Sequence, residues 1–311
     1  FSDRNKIKIN MKKVILLLVA TIFTYVGVNA QDVLTTEQMN SVYKKEKHHE
    51  KKVQHYAPLR QADVMWSRKV WREIDLRQKI NHPFYYPENN GIVGAAVTGD
   101  RKSLIDVIYS AIKEGSITAY GNAVYDDEMR VPMTQQEINS VGGAKEEIIE
   151  VTDWDAVALG ADPEDAKTTR TNIVPFNRNT VKKWRLKEEW FFDKQRSVMD
   201  VRILAIAPLQ EDKDEVNGQL LGTFSPLFWV YFPEAREILI NAEVFNLVKN
   251  DAERRTYDDI FWKRMFSSTI TKEANVMDRK INEYMVGLDA LLEAERIKTE
   301  IFNMEHDLWE Y

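Results

Sequence analysis

The stretch from residue 182 to residue 232 restricts the possible folds more than any other part of the chain. Residues 182–192 have the two-residue period of a β-strand, and residues 201–207 follow as an apolar run. Further strand signals at 219–223 and 227–232 come after a polar connection. Strands that are joined through short connections pair antiparallel, so this region is predicted to form an antiparallel meander.

Helices are predicted around these strands from their starting residues, since Ser and Thr favour the N-cap and Pro the first turn. The four predicted starts are Ser103, Thr134, Pro233 and Thr256. The helix at Ser103 is amphipathic and ends at Gly115, and the helix at Pro233 is expected to reach about residue 248. Residues 66–80 fit a helix or a strand equally well, and residues 117–124 fit a strand. The predicted fold class is α+β, with antiparallel strands and packed helices.

These elements fall into two predicted subdomains, at residues 61–152 and 179–286. The stretch 153–178 between them is acidic and then polar, has no sustained period, and is predicted to be a linker. Residues 31–60 contain few apolar positions among many charges, so they are predicted to form a solvated N-terminal helical arm.

Residues 287–311 are predicted to form a C-terminal helix. Its apolar residues alternate in steps of four and three, which is the spacing of a heptad seam. The seam consists of Ala290, Ala294, Ile297, Ile301, Met304 and Leu308. Such a helix either lies on its own domain or docks to another subunit, and the sequence leaves both arrangements open.

Residues 11–30 have the three parts of a secretory signal peptide. Two lysines follow Met11, an apolar run occupies residues 14–28, and small residues end the segment at Ala30. Residues 1–10 are interpreted as an upstream over-extension. The chain contains no cysteine, so an exported form cannot use disulfides and has no lipoprotein cysteine at Gln31. The mature protein is therefore expected in the periplasm, with any membrane association supplied by a partner.

Composition and charge exclude several functions. The formal net charge is −6, and loss of the basic leader would make the chain more acidic still. This balance argues against sequence-independent binding to nucleic acid and against adhesion to anionic lipid. His48, His49, Glu50 and His55 lack the spacing of a zinc site and are interpreted as part of a charged helix. No catalytic residue, cofactor or metal is predicted, although a periplasmic enzyme or small-ligand-binding protein stays the alternative function.

Dense aromatic clusters at residues 189–193 and 228–232 suggest contacts beyond one core. Consecutive residues of a strand point to opposite faces, so both faces need apolar partners. The second face packs either on the protein's own helices or on a neighbouring subunit. Together with the C-terminal seam, these clusters supply the candidate partner-interface residues Trp190, Phe192, Trp229, Tyr231, Ile297, Ile301 and Leu308.

Several of the same stretches resemble the GldN/PorN family of gliding motility proteins. The resemblance rests on residues 70–77, 187–197, 202–208 and 229–233, with further similarity at 104–121 and 257–275. It implies a non-enzymatic, periplasmic component of the type IX secretion system of Bacteroidota, required for protein export and gliding motility.

The resemblance also implies partners. Members of the family form a ring beneath the outer membrane with a GldK/PorK-type lipoprotein, which supplies the lipid anchor that this chain lacks. A GldM/PorM-type protein anchored in the inner membrane spans the periplasm and reaches the ring. The expected associations are therefore self-association, the lipoprotein and the spanning protein, with no nucleic acid and no direct membrane insertion.

Overall fold

The computed structural model describes residues 51–87, 101–121, 127–152, 167–174, 176–213, 217, 219–245, 250 and 253–308. The chain divides into two compact units, Phe1–His49 and Glu50–Tyr311, and all described residues belong to the second unit. The predicted leader and most of the predicted N-terminal arm lie outside the described residues. Residues 51–60 are described and contain no helix, so the prediction of a helical arm is wrong for this part. One physical reason is Pro58, which disfavours helical geometry at Ala57 before it.

A seven-stranded antiparallel sheet organises the part of the chain that is described. Its strands are β1 (Val64–Asp75), β2 (Ala119–Tyr120), β5 (Val181–Asp193), β6 (Val198–Lys213), β7 (Leu220–Pro226), β8 (Trp229–Tyr231) and β9 (Thr269–Glu273). The order is β2-β8-β6-β5-β1-β9, with β7 also paired to β6. Strands β3 (Lys145–Thr152) and β4 (Lys167–Val174) form a separate hairpin. The antiparallel pairing of the consecutive strands β5, β6 and β7 is confirmed, but β8 pairs with β6 and not with β7, so the predicted meander is wrong in its last step. The ambiguous segment 66–80 contributes most of strand β1.

Two strand expectations require correction. Of the strand expected at residues 117–124, the described part, 117–121, contains the two-residue strand β2, and residues 122–124 lie outside the described residues. The Gly121 N–H donates to the Val131 carbonyl, and the Met133 N–H donates to the Ala119 carbonyl. Within the expected linker 153–178, residues Lys167–Val174 form strand β4. Its threonines favour an extended backbone, but the segment lacks the alternation of apolar and polar residues by which strands are predicted. The strand was therefore not predicted from the sequence. Strands from both predicted subdomains share the large sheet, because β1 lies between β5 and β9.

Six helices accompany the strands in the described ranges. They are α1 (His82–Tyr85), α2 (Leu104–Lys113), α3 (Gln135–Ser140), α4 (Phe232–Leu239), α5 (Tyr257–Trp262) and α6 (Leu288–Asp307). The predicted caps are confirmed: Ser103 Oγ accepts the Asp106 N–H, and Thr134 and Thr256 each form a capping box. The α+β fold class is therefore confirmed. Among the described helices, none has both the length and the apolar character needed to cross a membrane.

Helix α4 ends at Leu239 instead of near residue 248. The chain after it is held by β-type contacts with the segment before α5, where the Val244 N–H donates to the Arg255 carbonyl at 2.9 Å. The Tyr257 N–H similarly donates to the carbonyl of Ala242. These long-range bonds use backbone groups that a longer helix would need, which is why the helix stops early.

The main core lies between one face of the sheet and helices α2, α4 and α5. Trp184, Leu186 and Ile74 contribute from the sheet, and Ile108 and Phe261 from the helices. Helix α6 packs on a second cluster farther along the sheet. Neighbouring residues of β1 alternate between faces, so Trp71 lies on the face opposite Ile74 and packs with Ala205, Ala207 and Trp229.

Three buried tryptophans contribute their rings to the interior of the domain. The Nε1 atoms of Trp71, Trp184 and Trp229 have no hydrogen-bond partner among the described residues. Trp184 and Trp229 are almost completely excluded from solvent. Each ring therefore contributes to the core through its apolar surface.

Candidate partner-binding surface

The predicted interface residues divide into buried and accessible ones. Phe192 and Trp229 are buried in the sheet layer, and Ile297 and Ile301 are buried beneath α6. A side chain in the interior cannot touch a partner while the domain stays folded, so the expectation that these four are available is corrected. Trp190 is half-buried and packs against the cluster beneath α6. Tyr231 is exposed and Leu308 half-buried, and a role for either in a partner contact stays a prediction.

The seam of α6 explains this outcome for its central residues. Ala294, Ile297 and Ile301 pack against Val70 of β1 and Ile270 of β9. The heptad spacing therefore correctly predicts that these residues lie on one face of the helix. Between the two arrangements that the sequence left open, these three residues adopt the intramolecular one.

The outer side of α6 carries apolar residues that are not covered by the described chain. Leu288, Leu291 and Leu292 are 70, 57 and 60% exposed. Met285 and Val286, just before the helix, are exposed as well. We call these five residues the apolar ridge. Their signal in the sequence is the step of three and four from Leu288 to Leu291 and Leu292, which places them side by side on a helix.

Local structure holds the apolar ridge in place. The chain enters α6 through Gly287, whose φ of +63° is a conformation that a residue without Cβ adopts easily. Before it, the Met285 N–H donates to the carbonyl of Ile281, a buried residue of the cluster beneath α6. Arg68 of β1 donates to Glu300 of α6 at 3.0 Å. The ridge is thus presented by a helix that is fixed to the sheet from its other side.

A second ion pair stiffens the exposed surface of α6. Arg296 binds both carboxylate oxygens of Glu293, at 2.6 and 2.8 Å. The bond from Arg296 holds the pKa of Glu293 below its ordinary value, and the same bond raises the pKa of the arginine. Both groups therefore stay charged across the physiological range, next to the apolar leucines. Alternating charged and apolar residues of this kind are usual at the border of a protein interface.

A cavity of about 440 Å³ opens beside the apolar ridge. Its sheet side is lined by Glu73, Asp75 and Lys183, and its helix side includes Met285 and Leu291. Glu73 is bound by Arg185 at 2.6 Å and by Lys183 at 3.4 Å, so its charge is compensated within the domain. The cavity therefore provides an indentation next to an apolar surface, which suits insertion of side chains from a partner.

Acidic and histidine side chains are the groups that could form a metal site in this domain. In the ranges that the structure describes, no group of three or more His, Cys, Asp or Glu residues is placed to hold a metal ion. Of the predicted histidine cluster, His55 alone lies in these ranges and is exposed. The feature that stands out among the described residues is the apolar ridge beside its cavity.

The fold and surface together define an α+β domain with an antiparallel sheet and an uncovered apolar helix face. Residues 59–310 match the family described as Gliding motility associated protein GldN. The chain belongs to this family, which confirms the resemblance seen in the sequence. The matched region extends from just before β1 to beyond the end of α6 and includes the apolar ridge. No curated protein matches the chain.

Proposed function

We propose that this protein is a non-enzymatic structural subunit of a periplasmic ring in the type IX secretion system, required for protein export and gliding motility. Its membership of the gliding motility family supports the proposal. The proposed partners are further copies of the chain, a GldK/PorK-type outer-membrane lipoprotein and a GldM/PorM-type protein that spans the periplasm. The leader at residues 11–30 would deliver the chain to the periplasm, and the lipoprotein would attach it to the outer membrane.

The observation that carries this proposal is the apolar ridge. Single exposed apolar residues are common, but adjacent ones on a rigid element mark a contact surface. Here the ridge residues are neighbours in the chain and lie on the outer side of α6, whose inner side is fully used by its own sheet. A permanent ring needs large, apolar interfaces between subunits, and the ridge would supply an apolar part of one such interface.

The test is the size and composition of particles that contain the full chain. A tagged chain, purified from the outer-membrane fraction of its own organism, is expected in very large particles together with a lipoprotein. The double variant Leu291→Asp/Leu292→Asp is expected to reduce recovery in these particles about tenfold or more, because two buried leucines would each contribute over 1 kcal/mol to the contact. Size-exclusion chromatography and mass spectrometry provide the measurement.

The matched control is Thr299→Asp/Asn303→Asp. It adds the same two charges to exposed polar positions of α6 and should leave assembly unchanged. If the Leu291→Asp/Leu292→Asp variant assembled normally, the apolar ridge would not be a contact between subunits. A small, uniform monomer from the native organism that converts a substrate would overturn the structural role and favour the enzyme alternative.

A further inference from the structure

Strands β3 and β4 form a hairpin that stands apart from the large sheet. They pair along their full length, from Lys145 opposite Val174 to Thr152 opposite Lys167. Within the described ranges, neither strand pairs with a third strand, and neither packs extensively on another helix or strand. Eight residues of extended chain are about 26 Å long. Among the described residues, the hairpin therefore has two long, open edges.

The base of the hairpin is fixed to the main core. Ala144, directly before β3, and Phe176, two residues after β4, are both buried in this core. The ring of Phe176 lies 5.3 Å from the ring of Tyr109 in α2, in an edge-to-face arrangement. A Cβ atom at Gly142 would overlap the Phe176 ring, so the chain is closely packed here. The domain thus anchors the hairpin at the point where both strands begin and end.

Two strands alone leave a β-sheet incomplete. In an antiparallel pair, every second residue of each strand directs its N–H and C=O away from the partner strand. An isolated two-stranded hairpin is only marginally stable in water, whereas three or more strands with an apolar face are stable. Open edges also accept a strand from another chain through main-chain hydrogen bonds. Additional strands on its edges would therefore stabilise this hairpin.

The two strands carry charges of opposite sign. Strand β3 contains three glutamates and one lysine, whereas β4 contains two basic residues and no acid. The charged residues are Lys145, Glu146, Glu147, Glu150, Lys167 and Arg170. Edges of the same sign repel each other, and edges of opposite sign attract, so such a pattern selects which edges can meet. The acidic β3 edge of one copy of the chain therefore matches the basic β4 edge of another copy.

We propose that the β3 edge of each copy pairs antiparallel with the β4 edge of a neighbouring copy, which joins the hairpins into one intermolecular sheet. The inference rests on the self-association proposed above and names a contact that would supply it. Pairing of two different edges is a head-to-tail contact, and such contacts close into rings when the rotation between copies allows it. Repetition of the register within the hairpin places Thr171 of one copy opposite Ile148 of the next.

The first test reverses the charge of one strand at a time in full-length chains. Glu147→Lys/Glu150→Lys makes both strands basic, and Lys167→Glu/Arg170→Glu makes both strands acidic. Either variant alone is expected to lower recovery in large particles about tenfold or more, because edges of like charge then meet between copies. Co-expression of the two variants should restore assembly, since basic and acidic hairpins can then alternate. Size-exclusion chromatography measures the recovery.

The co-expressed variants separate contacts between copies from contacts within one hairpin. In the mixture, each hairpin still has like charges on its own two strands, so recovery must come from pairing between chains. The matched control is Glu114→Lys/Glu237→Lys, which adds the same charge at exposed positions outside the hairpin and should assemble without a second variant. A mixture that assembled no better than either variant alone would overturn the proposal.

The second test keeps all charges and uses the absence of cysteine from the chain. Two chains with different tags, one carrying Ile148→Cys and the other Thr171→Cys, are co-expressed, and the purified particles are treated with a short bis-maleimide. A covalent product that contains both tags is expected. Replacing Thr171→Cys with Lys298→Cys, at an exposed position of α6, should give no mixed product. A chain with both cysteines in the hairpin should cross-link within itself, because the two residues are directly paired.

The outcomes distinguish this inference from the proposed function. Large particles without the mixed product, from a chain whose double-cysteine form cross-links within itself, would overturn the edge contact and leave the ring proposal standing. A double-cysteine chain that did not cross-link within itself would contradict the hairpin on which the inference rests. A chain that is monomeric throughout would overturn both proposals.

Discussion

Helices α2 and α6 cover the same face of the sheet but use their apolar residues differently. In α2, eight of ten residues are buried, whereas in the twenty-residue α6 three are buried and the leucines of the outer side are exposed. The apolar surface of α2 is therefore satisfied by the domain alone. Helix α6 has more apolar surface than the described domain covers. The comparison teaches that an amphipathic helix can complete a core on one side and still present an apolar surface on the other.

The core beneath α2 should respond most strongly to truncation. Trp184 is almost fully buried among residues of the sheet and of α2. Trp184→Ala is expected to lower the free energy of unfolding by about 3–5 kcal/mol, because the cavity cannot close completely. Urea denaturation followed by circular dichroism measures the change. A loss below about 1 kcal/mol would contradict the central place given to this core.

Within α6, the two sides should differ in a paired measurement. Ile297→Ala removes a fully buried side chain and is expected to cost about 2–4 kcal/mol of folding free energy. Leu291→Ala, on the exposed ridge, should change it by no more than about 0.5 kcal/mol. Chemical denaturation of both variants provides the test. Equal costs would mean that the ridge is part of the core and not a free surface.

The smallest expected effect concerns how the two helices begin. Ser103 caps α2 by accepting the Asp106 N–H, and its hydroxyl donates to the Asp106 carboxylate at 2.6 Å. Ser103→Ala should cost about 1 kcal/mol. Helix α6 begins at Gly287 without a side-chain cap, so Gly287→Ser would add no comparable stability, since its φ is positive. Thermal unfolding of both variants measures the difference, and a gain from Gly287→Ser would contradict this account.

Local signals allowed much of the secondary structure to be predicted. The caps at Ser103, Thr134 and Thr256 act within one turn of helix, so the sequence contains all the information they need. The early end of α4 could not be predicted in this way, because it depends on bonds to a segment that begins more than ten residues later. For the same reason the ambiguity of residues 66–80 was resolved by pairing with β5, which lies over a hundred residues away.

Buried charges were also beyond the reach of the sequence. Glu188 has the appearance of an exposed strand residue, yet it is fully buried and receives bonds from Trp190 and Arg264. A carboxylate can be buried when such donors surround it, but Arg264 is brought there by the fold. The contacts of Tyr56 with Arg202 and Trp262 escaped prediction for the same reason, since these three residues are far apart in the chain. The sequence analysis also did not single out the exposed leucines of α6, although their spacing of three and four residues is a local signal.

The buried indoles give the domain an internal optical signal. Trp184 and Trp229 lie in apolar surroundings without partners for their N–H groups among the described residues, and such environments shift tryptophan emission to shorter wavelengths. Trp262, partly open to solvent beneath Tyr56, is expected to emit at longer wavelengths. Emission from Trp184 and Trp229 therefore reports on whether the interior is intact. Emission from Trp262 reports on whether the Tyr56 ring is stacked on it.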